Sequence, residues 1–146
     1  MKKFAFRLES VLNLKTQMED NAKNNLARAT KELENQKEYL KDLRNVNNKS
    51  MNSLTEEVDE GIPVYRVQIY NNYLSLMKEK IANQKEKVNV AERNVDKNRE
   101  HLIKAMQERK VLDKLKEKKY DEYAKDQLKE EQLGIDELNS YNFKDS

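Results

Sequence analysis

The sequence predicts an all-α fold, a long two-helix antiparallel coiled-coil hairpin with its turn at about residues 60–63 and a second helix longer than the first. Three observations predict it. Along the second half, Val67, Leu74, Ile81, Val88, Val95 and Leu102 recur every seven residues, and Tyr70, Met77, Gln84, Ala91, Asn98 and Ala105 follow each by three. Along the first half, Leu26, Leu33, Leu40, Asn47 and Leu54 form one row of a heptad, and Ala22, Ala29, Gln36, Leu43 and Ser50 form the other. Between the two seams lies Gly61-Ile62-Pro63. The heptad is the period at which a helix lays a narrow stripe against a partner helix.

The chain opens Met1-Lys2-Lys3-Phe4-Ala5-Phe6, which briefly imitates a signal peptide until Arg7 and Glu9 interrupt the apolar run. Helix one is expected over about residues 6–59. Its early seam reads Phe4, Leu8, Val11, Lys15, Met18 and Ala22, and the next step to Leu26 places two steps of four in succession. That is a stutter, which unwinds a supercoil locally. Gly61 suits a helix C-terminus and Pro63 suits the first turn of the next helix. Helix two is expected over about residues 63–142.

A turn this short returns the second helix antiparallel to the first, so facing residues have numbers summing to about 124. That register sets Ala29 against Val95, Leu33 against Ala91, Leu43 against Ile81 and Ser50 against Leu74, large mostly against small or polar. Such pairing keeps two helices at a steady separation. The whole chain, residues 1–146, reads as a single antiparallel coiled-coil domain. Beyond about Leu115 helix two is expected to outrun its partner. The overhang carries Tyr120, Tyr123, Leu128, Leu133, Ile135, Leu138, Tyr141 and Phe143, so it frays or binds something.

Composition agrees with an elongated design. The chain is 38% charged and 36% hydrophobic, with a mean hydropathy of -1.12. A layered core usually needs about 45–50% apolar residues. Two glycines and one proline are too few for many turns. Lys and Arg total 29 and Asp and Glu total 27, and the signs interleave, which argues against nucleic acid as a partner. Cysteine is absent, so no disulfide, thiolate metal site or cysteine nucleophile is available. No apolar stretch approaches the roughly 20 residues of a membrane span, and the expected location is the cytoplasm.

Residues for chemistry are scarce. His101, the one histidine, reads as a solvated helix residue, and pairs such as Glu56-Glu57 and Glu130-Glu131 read as a charged face. There is no phosphate-cradling glycine loop, serine nucleophile elbow or metal-ligand cluster in the sequence. The expectation is no enzyme, no cofactor and no metal. Aromatics gather at the start, just after the turn (Tyr65, Tyr70, Tyr73) and toward the end. They close the seam or serve as contact anchors, and the sequence leaves both open.

The opening Phe4-Ala5-Phe6-Arg7-Leu8-Glu9-Ser10-Val11-Leu12 resembles the F-x-F-x-L-x-x-V-L start of the FliJ family, stalk proteins of the bacterial flagellar type III export apparatus. Tyr70-Asn71-Asn72-Tyr73-Leu74 and the ending Glu131-Gln132-Leu133-Gly134-Ile135-Asp136-Glu137 extend the resemblance along the chain. Gly134 departs from what a helix interior prefers, and a bend is expected there.

The resemblance implies a non-catalytic stalk similar to the central stalk of rotary ATP synthases. Its termini would enter a hexameric export ATPase, and its hairpin would reach the cytoplasmic domain of the membrane-embedded export gate. It would promote protein export for flagellum assembly and motility, and act with export chaperones at the cytoplasmic face of the inner membrane. By resemblance, the ATPase contacts would be Phe4, Phe6, Arg7, Leu8, Tyr123, Leu133, Ile135 and Glu137. The gate contacts would be Tyr73, Met77, Lys80 and Gln84. The competing readings are the equivalent stalk of a virulence injectisome and a generic coiled-coil adaptor or tether.

Overall fold

The structure is a computed structural model that describes residues 2–144. It consists of two helices, α1 (Glu9–Glu60) and α2 (Val64–Lys144), with no strand among the described residues. The second is the longer, at 81 residues against 52. The helices pack against one another antiparallel within each of two units: Ala22–His101, which contains the turn, and Met1–Asn21 with Leu102–Ser146.

Helix α1 starts at Glu9, later than the expected residue 6. The Glu9 N–H donates to the Phe6 carbonyl (3.1 Å) and the Leu12 N–H to the Leu8 carbonyl (2.9 Å). An acidic residue in the first turn suits the positive end of the helix dipole. At the other end Gly61 has φ 88°, a left-handed conformation in which a side chain would be strained, and its N–H donates to the Val58 carbonyl (3.1 Å). Pro63 stands just before α2 rather than inside it. Its carbonyl accepts from the N–H groups of Arg66 and Val67, which begins the helical ladder.

In the Ala22–His101 unit the heptad positions are the least exposed ones. Ala29, Leu40, Met77, Val88, Ala91 and Val95 are buried, and Leu26, Leu33, Leu43, Leu54, Val67, Leu74 and Ile81 are half-buried. Alternating alanine with larger residues lets the two backbones approach evenly. One polar side chain, Gln84, is as buried as any of these, at 2% exposure. Its amide donates to the Gln36 carbonyl (3.0 Å) and to Gln36 Oε1 (2.6 Å) across the helix pair. The Arg66–Glu57 ion pair (3.0 Å) lies next to the turn, and the Tyr70 phenol is pushed up first by hydrogen bonding to Glu57, then by its own burial, then by the Glu57 charge.

In the other unit the early seam differs from expectation. Val11 and Met18 are 40% and 44% exposed, whereas Leu12 and Glu19 are buried at 6% and 4%. The inward residues are Leu8, Leu12, Lys15, Glu19 and Ala22, whose steps of four and three continue unbroken into Leu26 and Ala29. There is no stutter. The reason is chemical: position 19 holds a glutamate that hydrophobicity alone rejects, but an arginine on α2 answers it. Arg109 Nε donates to Glu19, and Arg109 Nη1 donates to Asp113. Lys15–Glu108 (3.1 Å) and Lys116–Glu9 (2.9 Å) continue the ladder at the expected antiparallel register.

The overhang is also shorter than expected. Past Leu115, α2 still meets the N-terminal segment as far as Tyr123. From Leu128 to Phe143 every residue is exposed. Gly134 lies within unbroken α2, with no helix break at that point.

Candidate partner-binding surfaces

Among the described residues, no group of three or more His, Cys, Asp or Glu could hold a metal, and His101 is exposed. No helix of the described residues is long and apolar enough to cross a membrane. The candidate sites are therefore surfaces.

The first is the aromatic clasp beside the start of α1. The Phe4 ring lies edge-on to Tyr120, with centroids 5.3 Å apart and planes at 85°, and tilted against Tyr123 at 5.5 Å. Tyr120 and Tyr123 stand one turn apart on α2, their rings 6.3 Å from each other. The Tyr123 hydroxyl donates to the Lys2 carbonyl, which ties the segment to the helix. A shallow hollow beside it is lined by Phe4, Phe6, Arg7, Leu8, Leu115 and Tyr123, among others. Five of the eight residues expected on the ATPase side thus meet at one place. Phe4, Phe6, Leu8 and Tyr123 are half-buried and Arg7 is exposed. Leu133 and Ile135 (62% and 53% exposed) and the exposed Glu137 lie farther along α2, outside the hollow.

The second is the strip expected to face an export gate. Tyr73 is 40% exposed and Lys80 is exposed, but Met77 and Gln84 are 3% and 2% exposed. Met77 and Gln84 occupy the inner heptad row, so no partner reaches them while the helix pair is closed. The strip shrinks to Tyr73 and Lys80. Sequence reasoning missed its exposed apolar neighbour Leu76, and Tyr39 and Val46 on the same outer heptad flank of α1. The available signal was the heptad itself, which puts all of these outside the inner rows.

A family model described as the flagellar FliJ protein matches residues 3–146. The chain belongs to the FliJ family. That makes it a stalk-type component of type III secretion, from a family of non-catalytic export proteins. A solved structure from Chlamydia trachomatis, CT670, described as a candidate YscO homolog, has a similar fold. The TM-score is 0.73 at 24% identity, covering 94% of each chain. No curated protein matches.

For a FliJ-family chain, the Glu19–Arg109–Asp113 cluster was the feature hardest to anticipate. Glu19 first and Asp113 second hold the Arg109 guanidinium even more firmly protonated than usual, against a smaller opposing effect of burial. Through Glu19 and Arg109 the cluster ties α1 to α2.

Proposed function

We propose that this chain is the stalk of a flagellar export apparatus, binding the hexameric export ATPase through its terminal end and the export gate through the Tyr73–Lys80 flank. It acts at the cytoplasmic face of the inner membrane and promotes export for flagellum assembly. The observation that carries the reading is the end itself: an aromatic N-terminal segment clasped on α2, beside a helical continuation that exposes Leu133, Ile135 and Leu138. Aromatic and aliphatic side chains of this kind are the usual anchors of protein interfaces. Membership of the FliJ family supports a place in type III secretion and favours the flagellar reading.

The test is stimulation of the purified export ATPase. Phe4→Ala, Phe6→Ala and Leu8→Ala together are expected to abolish it with helicity retained. Leu133→Lys with Ile135→Lys changes only exposed side chains and is expected to weaken it as well. Full stimulation by both variants would remove this end from the contact. The likeness to the YscO homolog motivates the injectisome alternative, and co-purification with flagellar rather than injectisome ATPase separates the two.

A further inference from the structure

One flank of the Ala22–His101 unit gathers cations without counter-ions. Two adjoining hollows there share Arg44 and Asn48. Together they are walled by Lys37, Lys41, Arg44, Lys78 and Lys85, and no acidic residue lines either one. None of these five cations has an ion-pair partner among the described residues. Lys37, Lys41 and Arg44 follow one face of α1, and Lys78 and Lys85 one face of α2. Leu40, Leu74, Ile81 and Val88 form the floor. A groove between two helices, apolar below and basic at the walls, has the form that takes a third, acidic amphipathic helix. From Lys37 to Met51 it runs about 20 Å, or roughly four helical turns.

The complement lies on the same sequence. Residues 130–143 hold Glu130, Glu131, Asp136 and Glu137 and no Lys or Arg. Leu128, Ile135 and Leu138 are 66%, 53% and 62% exposed and share one helix face, with Glu130 and Glu137 along its edge. This tail is the last stretch of α2, which runs from Val64 to Lys144. We propose that the tail of one copy docks in the basic groove of a second copy, its apolar stripe on the apolar floor and its carboxylates against Lys78 and Lys85. This goes beyond the stalk reading and does not depend on it. Should the tail also contact an ATPase, the two engagements exclude one another.

The experiment is sedimentation velocity of the full chain alone, so its failure leaves the ATPase contact untouched. At about 0.05 M salt, association should rise with protein concentration, and at about 0.5 M salt it should fall at least tenfold in affinity. Lys78→Glu with Lys85→Glu should weaken association about tenfold, as should Glu130→Lys with Glu137→Lys. All four residues are exposed, so circular dichroism should be unchanged. Mixing the two charge-reversed proteins should restore association, because each supplies the complement the other lacks. A monomer at every concentration would overturn the proposal. So would association indifferent to both reversals, or a mixture that fails to recover it. Binding to anionic vesicles lost in the lysine variant, without self-association, would assign the groove to lipid instead.

Discussion

The two units close their helix pairs by different chemistry on one uninterrupted heptad. In Ala22–His101 the inner rows bury Ala29, Leu40, Met77, Val88, Ala91 and Val95, with Gln84 as the polar intruder. In the other unit Leu12 is the one buried apolar residue among the described residues, with a buried Glu19 two turns along the same face. Ion pairs from Lys15, Glu19 and Glu9 to α2 and an aromatic clasp take over there. The period dictates where a side chain points, but not what holds it in place. Apolar burial is insensitive to salt at these concentrations, whereas exposed and half-exposed ion pairs weaken as salt rises. Three substitutions test that contrast.

The largest effect is expected from Met77→Ala. Met77 is 3% exposed in the apolar seam, and truncation removes its packing and leaves a void. A loss of about 2–4 kcal/mol in urea unfolding is expected, equal at low and high salt. A loss below about 1 kcal/mol would mean the seam collapses around the gap, and would weaken the division between the two units.

Arg109→Leu should act next, and locally. It takes the Arg109 guanidinium away from the Glu19 carboxylate inside the seam, and from Asp113 as well. Amide exchange should accelerate over residues 9–21 and 102–124, with little change around Met77. Glu19→Leu added to it should recover most of the protection, because a matched apolar pair replaces an ion pair at little cost. If the double variant exchanges as fast as the single one, the cluster does more than fill the seam.

Those residues also show what the sequence made legible. The turn at Gly61–Pro63, the long second helix and every inner position from Ala22 to Leu102 follow from the heptad and two backbone-breaking residues. The early seam did not. Hydrophobicity prefers Met18 to Glu19, and the heptad counted back from Met18 takes Val11 in place of Leu12, which introduces a stutter the molecule lacks. Counting back from Leu26 in strict alternating steps reaches Ala22, Glu19, Lys15, Leu12 and Leu8. The charged members become reasonable only when Arg109 and Glu108 are seen to lie opposite. Two members of the gate strip failed for the converse reason. Met77 and Gln84 lie near Tyr73 along α2 but turn inward, while Tyr73 and Lys80 stay exposed. The Phe4–Tyr120–Tyr123 clasp depends on contacts far apart in sequence, which no local pattern records.

The smallest effect on stability is expected where the apolar seam is itself polar. Gln84→Leu removes two cross-helix hydrogen bonds but leaves no polar group stranded on α2. Gln36 is half-buried, so its side chain can turn to water, and its carbonyl belongs to the α1 ladder. The gain in apolar burial and the lost hydrogen bonds are of similar size, so stability should stay within about 1 kcal/mol of the parent. Register is where the change should be felt. A buried amide that pairs with one position only penalises every slipped alignment, whereas leucine packs nearly as well one turn away. Cysteines at Ala29 and Val95 should therefore crosslink within one chain efficiently in the parent. In the Gln84→Leu background a cysteine placed one turn to either side of Ala29, at Asn25 or at Leu33, should begin to compete for a cysteine at Val95. Unchanged pairing would leave register to the alanine–valine packing alone, and would make the Ala22–His101 seam as self-sufficient in specificity as in stability.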